Sequence, residues 1–243
     1  NTGSFKFQIP KYDNYWLILD NNDSVVSSKK VILYISALYP QPREEHKFYK
    51  KKFEELYSGL KKVFIFSDFD IYIKNCGVEN AFSDPNITIC NEYVDRLIDQ
   101  GLSQAGVWVI LHELGHSLLR LWGYPSWDNE DVADEFATMF LVMGNMKEPI
   151  LQAFSKFSMQ NPEAEAELKI RQDDRHSLSI QRARNIINWS NNPNELLKRW
   201  QKILVPNMQT EVLKGMMTDS STPWIDHELI SAELKTREKT QSK

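Results

Sequence analysis

Long apolar runs are missing from this chain: nowhere do about 18 apolar residues follow one another, which excludes a membrane-spanning helix. A sustained basic stripe is missing too. Lysines form local patches at Lys50-Lys51-Lys52 and Lys61-Lys62 within a net charge of −4, so nucleic acid is not an expected partner. Cysteine is scarce, with Cys76 and Cys90 separated by a stretch that holds Gly77, Asp84 and Pro85 and could turn the chain back on itself. That spacing permits a disulfide and equally permits two buried free thiols. The chain begins at Asn1 rather than Met, and the expectation is a processed or trimmed chain from which any signal peptide has already gone.

What is present is enough for a folded domain. The 243 residues are 42% apolar, which supports a real core and argues against a disordered or fibrous chain. In the N-terminal third, "FKFQI" alternates while "YWLIL" and "VILYIS" are short runs rich in strand formers. The stretch that begins with Pro42 and ends near Gly59 places Phe48, Phe53, Leu56, Tyr57 and Leu60 at helical spacing, with its lysines on a solvated face. "VFIFSDFDIYIKNCG" reads as one or two strands and "ITIC" as another after a turn at "SDPN". From Asn91 the pattern is helical, with helices predicted over 91–100, 103–122, 129–144, 147–158, 162–171, 178–190 and 194–204. The expectation is an α+β chain. A small N-terminal mixed or antiparallel sheet precedes a mainly helical, zincin-like bulk in one domain over 1–205, and 206–243 forms a peripheral helix and flexible tail.

The chemistry concentrates in "VILHELGHSLL", residues 109–119. Histidines four apart share one face of a helix, so His112 and His116 can address one ion, while Glu113 lies about 100° round and can take a proton from the attacking water. Val107, Trp108, Ile110, Leu111, Leu114 and Leu118 make this helix apolar around most of its circumference, so it is expected at the centre of the core. Gly115 is expected to let a strand or substrate approach. A five-residue motif also arises by chance on core helices, and its context decides.

Two imidazoles leave a catalytic zinc one protein ligand short. The next helix, "EDVADEFATMFLVMG", has Asn129 as its candidate N-cap and offers four acids. Glu130 and Asp134 share a face with Ala133 and Ala137, whose small side chains allow close helix packing. Asp131 and Glu135 fall on a neighbouring strip expected to be solvated or to cap something. Glu130 is therefore the predicted third ligand of one zinc ion, and Asp134 the carboxylate that receives a ring N–H from His112 or His116. A plain charged helix start is the alternative reading. His46 and His227 lie in polar stretches and are expected at the surface.

HExxH followed by E-x-x-A-D resembles the ligand pattern of gluzincin metallopeptidases, including the CAAX-prenyl-protease and ImmA/IrrE types. Four blocks together, "CGVENAFSDPNITICNEY", "HELGHSLL", "EDVADEFAT" and "DDRHSLSIQRARNIINW", more closely resemble a bacterial metallopeptidase family classed as a domain of unknown function. The resemblance spans about residues 43–205. It implies metal ligands His112, His116 and Glu130 with Glu113 as base, and it implies export, which supports a Cys76–Cys90 disulfide. Asn80, Ala81 and Phe82 are similar to the edge-strand segment beside the cleft of thermolysin-like gluzincins, where strand addition binds an extended peptide; otherwise Asn80 is a turn residue and Phe82 core. The same likeness makes His176 the candidate oxyanion donor with Tyr124 in reserve, against a role for His176 as a helix cap. Arg182 and Arg184 could pair with nearby acids or with a substrate carboxylate. Near Asn188 and downstream of it the family pattern carries a further cysteine pair, and this chain departs from it.

The function expected is hydrolysis of a peptide or protein substrate. Its competitors are a zinc-binding scaffold or regulator that cuts nothing, and a cytosolic protease rather than a periplasmic or secreted one.

Overall fold

The computed structural model describes residues 43–84, 86–159, 161–163, 165, 178–222 and 224–241. The strands expected before Pro42, most of the helix expected over 162–171, and His176 lie outside the described residues.

Helix α1, Glu44–Val63, starts with a capping box in which the His46 ring accepts from the Arg43 amide at 3.2 Å. His46 is not at the surface as its sequence context suggested. It is 6% exposed, because its Nε2 also meets Asp95 at 2.8 Å and the pair clasps α1 to α2, Asn91–Asp99. The helix also runs past Gly59, which has open space around it, and buries Leu60 beyond it. Gly59 therefore costs only about 1 kcal/mol of propensity, which Leu60 offsets.

Strands β1 (Ile71–Lys74), β2 (Ala81–Asp84) and β3 (Asn86–Cys90) form a mixed sheet in the order β1-β3-β2. β1 pairs parallel with β3, matching Ile71 to Ile87, and β2 pairs antiparallel, matching Ala81 to Ile89. Less of the "VFIFSDFDIYIKNCG" stretch is strand than its pattern suggests. Phe64 makes one isolated bridge to Met208, and Asp68 then draws in Lys61 at 2.7 Å and Tyr57 at 2.8 Å, which turns the chain before β1 begins. A disulfide joins Cys76 to Cys90, the residue that leads into α2, Asn91–Asp99. Glu92 in the first turn accepts from the amides of Cys76 and Gly77.

Helix α3, Ala105–Leu121, buries 15 of its 17 residues. It closes at Gly123, whose φ of 70° is the left-handed conformation open to glycine, and the Tyr124 amide returns to the Leu119 carbonyl at 2.9 Å. Helix α4, Glu130–Met143, is N-capped by Asn129, whose side chain accepts from Val132. Helices α5 (Lys147–Ser158), α6 (Ser179–Asn191) and α7 (Pro193–Leu204) follow. α4, α5 and β2 pack directly on α3, and α6 closes over α4 and α5. The core therefore forms around the helix that carries the motif.

Gly115 does not admit a strand or substrate. An added Cβ there would meet the Phe136 ring at 3.0 Å, so the residue is small to let α4 lie against α3. Glu135 is not on a solvated strip either. Its carboxylate accepts from Trp200 Nε1 at 2.9 Å and pairs with Arg199, and so fastens α7 to α4. After residue 205 come a short turn of 3-10 helix, α8 (Thr210–Thr218) and α9 (His227–Gln241); Leu213 and Ile230 are buried, and Arg237 donates to the carbonyls of Met208 and Pro206. His227 is half-buried, with its ring 2.9 Å from the Asp219 carbonyl. No described helix is long and apolar enough to cross a membrane.

Candidate metal centre

One turn of α3 separates His112 and His116, and α4 crosses so that Glu130 faces both. His112 Nε2 lies 3.0 Å from Glu130 Oε2, His116 Nε2 lies 3.5 Å from the same oxygen, and the two Nε2 atoms are 3.2 Å apart. These three side chains form a group that could hold a metal ion. The histidines are almost wholly buried, at 6% and 8% exposure, and Glu113 between them is 8% exposed.

The outer ring nitrogens settle what the inner ones carry. His112 Nδ1 faces Asp134 Oδ1 at 2.8 Å, and His116 Nδ1 faces the Trp127 carbonyl at 2.8 Å. A carbonyl and a carboxylate only accept, so both Nδ1 atoms donate, and in the neutral tautomer both Nε2 atoms present lone pairs. Two lone pairs and a carboxylate oxygen thus converge within 3.5 Å in a dry interior. They repel unless a cation, a proton or a metal ion, lies between them. His112 registers that field. Burial alone would lower its pKa, but its hydrogen bonds to Asp134 and Glu130 outweigh burial and push it up to about 9.

Asp134 is wholly buried and gripped from its far side by Arg182 of α6, with Nε to Oδ2 and Nη2 to Oδ1 both at 2.6 Å. Burial would raise the carboxyl; the adjacent guanidinium and the bond from His112 hold it below the usual carboxylate range instead. Trp108 stacks on His112 at 5.2 Å between ring centroids, and Arg182 lies over Phe157 at 4.3 Å.

β2 runs beside this helix. Ser117 donates to Ser83 at 3.2 Å, and Arg120 pairs with Asp84 while stacking over Trp127 at 4.8 Å. Among the described residues β2 is an edge strand bonded only to β3, and Phe82 stands 45% exposed. Asn80 lies just before it, its side chain accepting from the Ala81 amide and its carbonyl from Cys90. Tyr124 is half-buried against the core, just beyond the end of α3.

Three features were invisible as such in the sequence. Arg182 was one of two arginines with several possible partners, and it proves to belong to Asp134. The Trp127 carbonyl is backbone and carries no sequence signal. The Trp108 stack looked like core packing alone.

An HExxH helix whose imidazoles share a carboxylate from the next helix has the architecture of a metallohydrolase centre. The chain belongs to the DUF4344 family, described as "Putative metallopeptidase", whose model matches residues 41–201. No curated protein and no solved structure matches the chain.

Proposed function

We propose that the chain is a zinc-dependent endopeptidase of gluzincin type, in which His112, His116 and Glu130 hold one zinc ion and Glu113 is the general base. The observation that carries this reading is the triangle of inward-facing donor atoms. Zinc bonds of about 2.0–2.2 Å in a tetrahedron require ligand atoms about 3.3–3.6 Å apart. The three separations, 3.0, 3.2 and 3.5 Å, come within a few tenths of an ångström of those edges. Two imidazoles and one carboxylate also leave a fourth position open, as catalytic rather than structural zinc requires.

When bound, the ion supplies Lewis acidity that makes a water acidic and polarises a carbonyl. The chain's own residues do the rest. Glu113, buried beside His112, takes the proton of the attacking water and passes it to the leaving amine. Asp134 and the Trp127 carbonyl keep the Nδ1 protons in place and so aim both Nε2 lone pairs inward. The edge of β2 that no described strand covers pairs with the main chain of an extended peptide, with exposed Phe82 offering an apolar contact. His176, or Tyr124 in reserve, donates to the developing oxyanion; the placement of His176 follows from its sequence block, outside the described residues. Export to an oxidising compartment fits the Cys76–Cys90 disulfide.

The test compares wild type with Glu113→Gln by metal content and peptide-library cleavage. Zinc near one equivalent in both, with cleavage at least about 100-fold slower in the variant, supports the enzyme. Full zinc in both with equal inactivity across the library supports a zinc-binding scaffold.

A further inference from the structure

The geometry points to Arg182 as a positioning residue for the metal centre: it grips Asp134 from behind, and through Asp134 it fixes which nitrogen of His112 faces the ion. This rests on the proposed reading of His112, His116 and Glu130 as metal ligands.

Asp134 has no solvent exposure, so its oxygens can find partners only in the protein. Among the described residues three nitrogens converge on them: Arg182 Nε and Nη2 donate to Oδ2 and Oδ1, and His112 Nδ1 lies 2.8 Å from Oδ1. A carboxylate can accept all three, whereas a protonated carboxyl would set an O–H against one of them. Because the guanidinium fork is planar, two parallel bonds also fix the plane of the carboxylate and present Oδ1 to the imidazole. His112 is then obliged to carry its proton on Nδ1 and its lone pair on Nε2, 3.0 Å from Glu130.

Arg182 is itself held for this task. Its side chain is 11% exposed, and its guanidinium lies 4.3 Å over Phe157 of α5 and 5.7 Å over Trp108, the indole that stacks on His112. The arginine thus reaches the metal centre along two routes, a hydrogen-bonded one through Asp134 and a packed one through Trp108. With the arginine gone, no fork would fix the plane of the Asp134 carboxylate, and Oδ1 would no longer be presented to His112 Nδ1. An imidazole free to turn, or to present N–H at Nε2, cannot bind the ion.

Zinc affinity, measured by chelator competition on the full chain, tests this without any appeal to catalysis. Arg182→Met is expected to weaken zinc about 10–100-fold, the usual cost of removing an outer partner of a ligand. In an Asp134→Asn background the same change is expected to cost less than about threefold, because Arg182 acts through that carboxylate. The cobalt(II) absorption spectrum, which reports ligand arrangement, is expected to change in Arg182→Met. Wild-type zinc affinity and an unaltered cobalt spectrum in a folded Arg182→Met protein would overturn the inference, as would an equal loss in both backgrounds. Should Arg182→Met fail to fold, Arg182→Lys decides, since it keeps the charge and removes the fork: a severalfold loss is expected, and wild-type affinity overturns the proposal. Failure of wild type to bind zinc would instead sink the ligand assignment on which the inference stands.

Discussion

His112 is asked to be two things at once. As the proposed ligand it must be neutral, yet against its burial Asp134 and Glu130 hold its pKa at about 9, so near pH 7 the metal-free ring is protonated. An incoming ion must therefore displace a proton. Zinc affinity is expected to rise about tenfold per pH unit up to about pH 9 and to level above it. Titration calorimetry in two buffers of different ionisation enthalpy checks this: about one proton released near pH 7 and none near pH 10. The same shift has a stability sign. A raised folded-state pKa contributes stability that is complete below about pH 6.5 and is lost as pH climbs through 9. The metal-free protein is therefore expected to lose melting temperature from pH 6.5 to 9.5, and the zinc-loaded protein to keep more of it. Glu113 has the opposite standing: Glu113→Gln should leave metal content intact and remove cleavage.

Among the elements, α3 was the most legible in the sequence, because apolar residues on nearly every side of a helix have only one place to go. Asn129 as a cap and the shared face of Glu130 and Asp134 were also readable, since each is a matter of local spacing. What stayed hidden has its partner far along the chain. His46 meets Asp95 across 49 residues, Arg182 meets Asp134 across 48, and Glu135 meets Trp200 across 65. The stretch before β1 misled for the same reason, since the bridge of Phe64 goes to Met208. Close approach between elements could not be read either, and it yields a graded expectation for two glycines of α3. At Gly115 an added methyl meets the Phe136 ring at 3.0–3.3 Å. The strain of about 1–3 kcal/mol is partly offset by about 1 kcal/mol of helix propensity. At Gly106 the methyl would lie 2.2 Å from Tyr49, a ring 2% exposed whose hydroxyl already donates to the Ser103 carbonyl. Gly106→Ala is accordingly expected to cost more than Gly115→Ala, about 2–3 kcal/mol or greater, in urea unfolding. A larger loss for Gly115→Ala would contradict this packing.

At the scale of the whole molecule, the Cys76–Cys90 bridge closes a loop of 14 residues that contains β2 and most of β3. A loop of that length implies about 3 kcal/mol, so the double Cys76→Ser, Cys90→Ser variant is expected to lose about 2–4 kcal/mol. Melting curves of the intact protein with and without a phosphine reductant give the same comparison without mutation. Larger still is the consequence of placing the chemistry on the innermost helix. The same turns of α3 that aim His112 and His116 also pack against α4, α5 and the sheet. On the proposed reading, a substitution in α3 that alters catalysis also alters the core, because one set of side chains answers for both. Variation toward new substrates is then expected at the rim, at Phe82 and its neighbours on the edge strand, and least in α3.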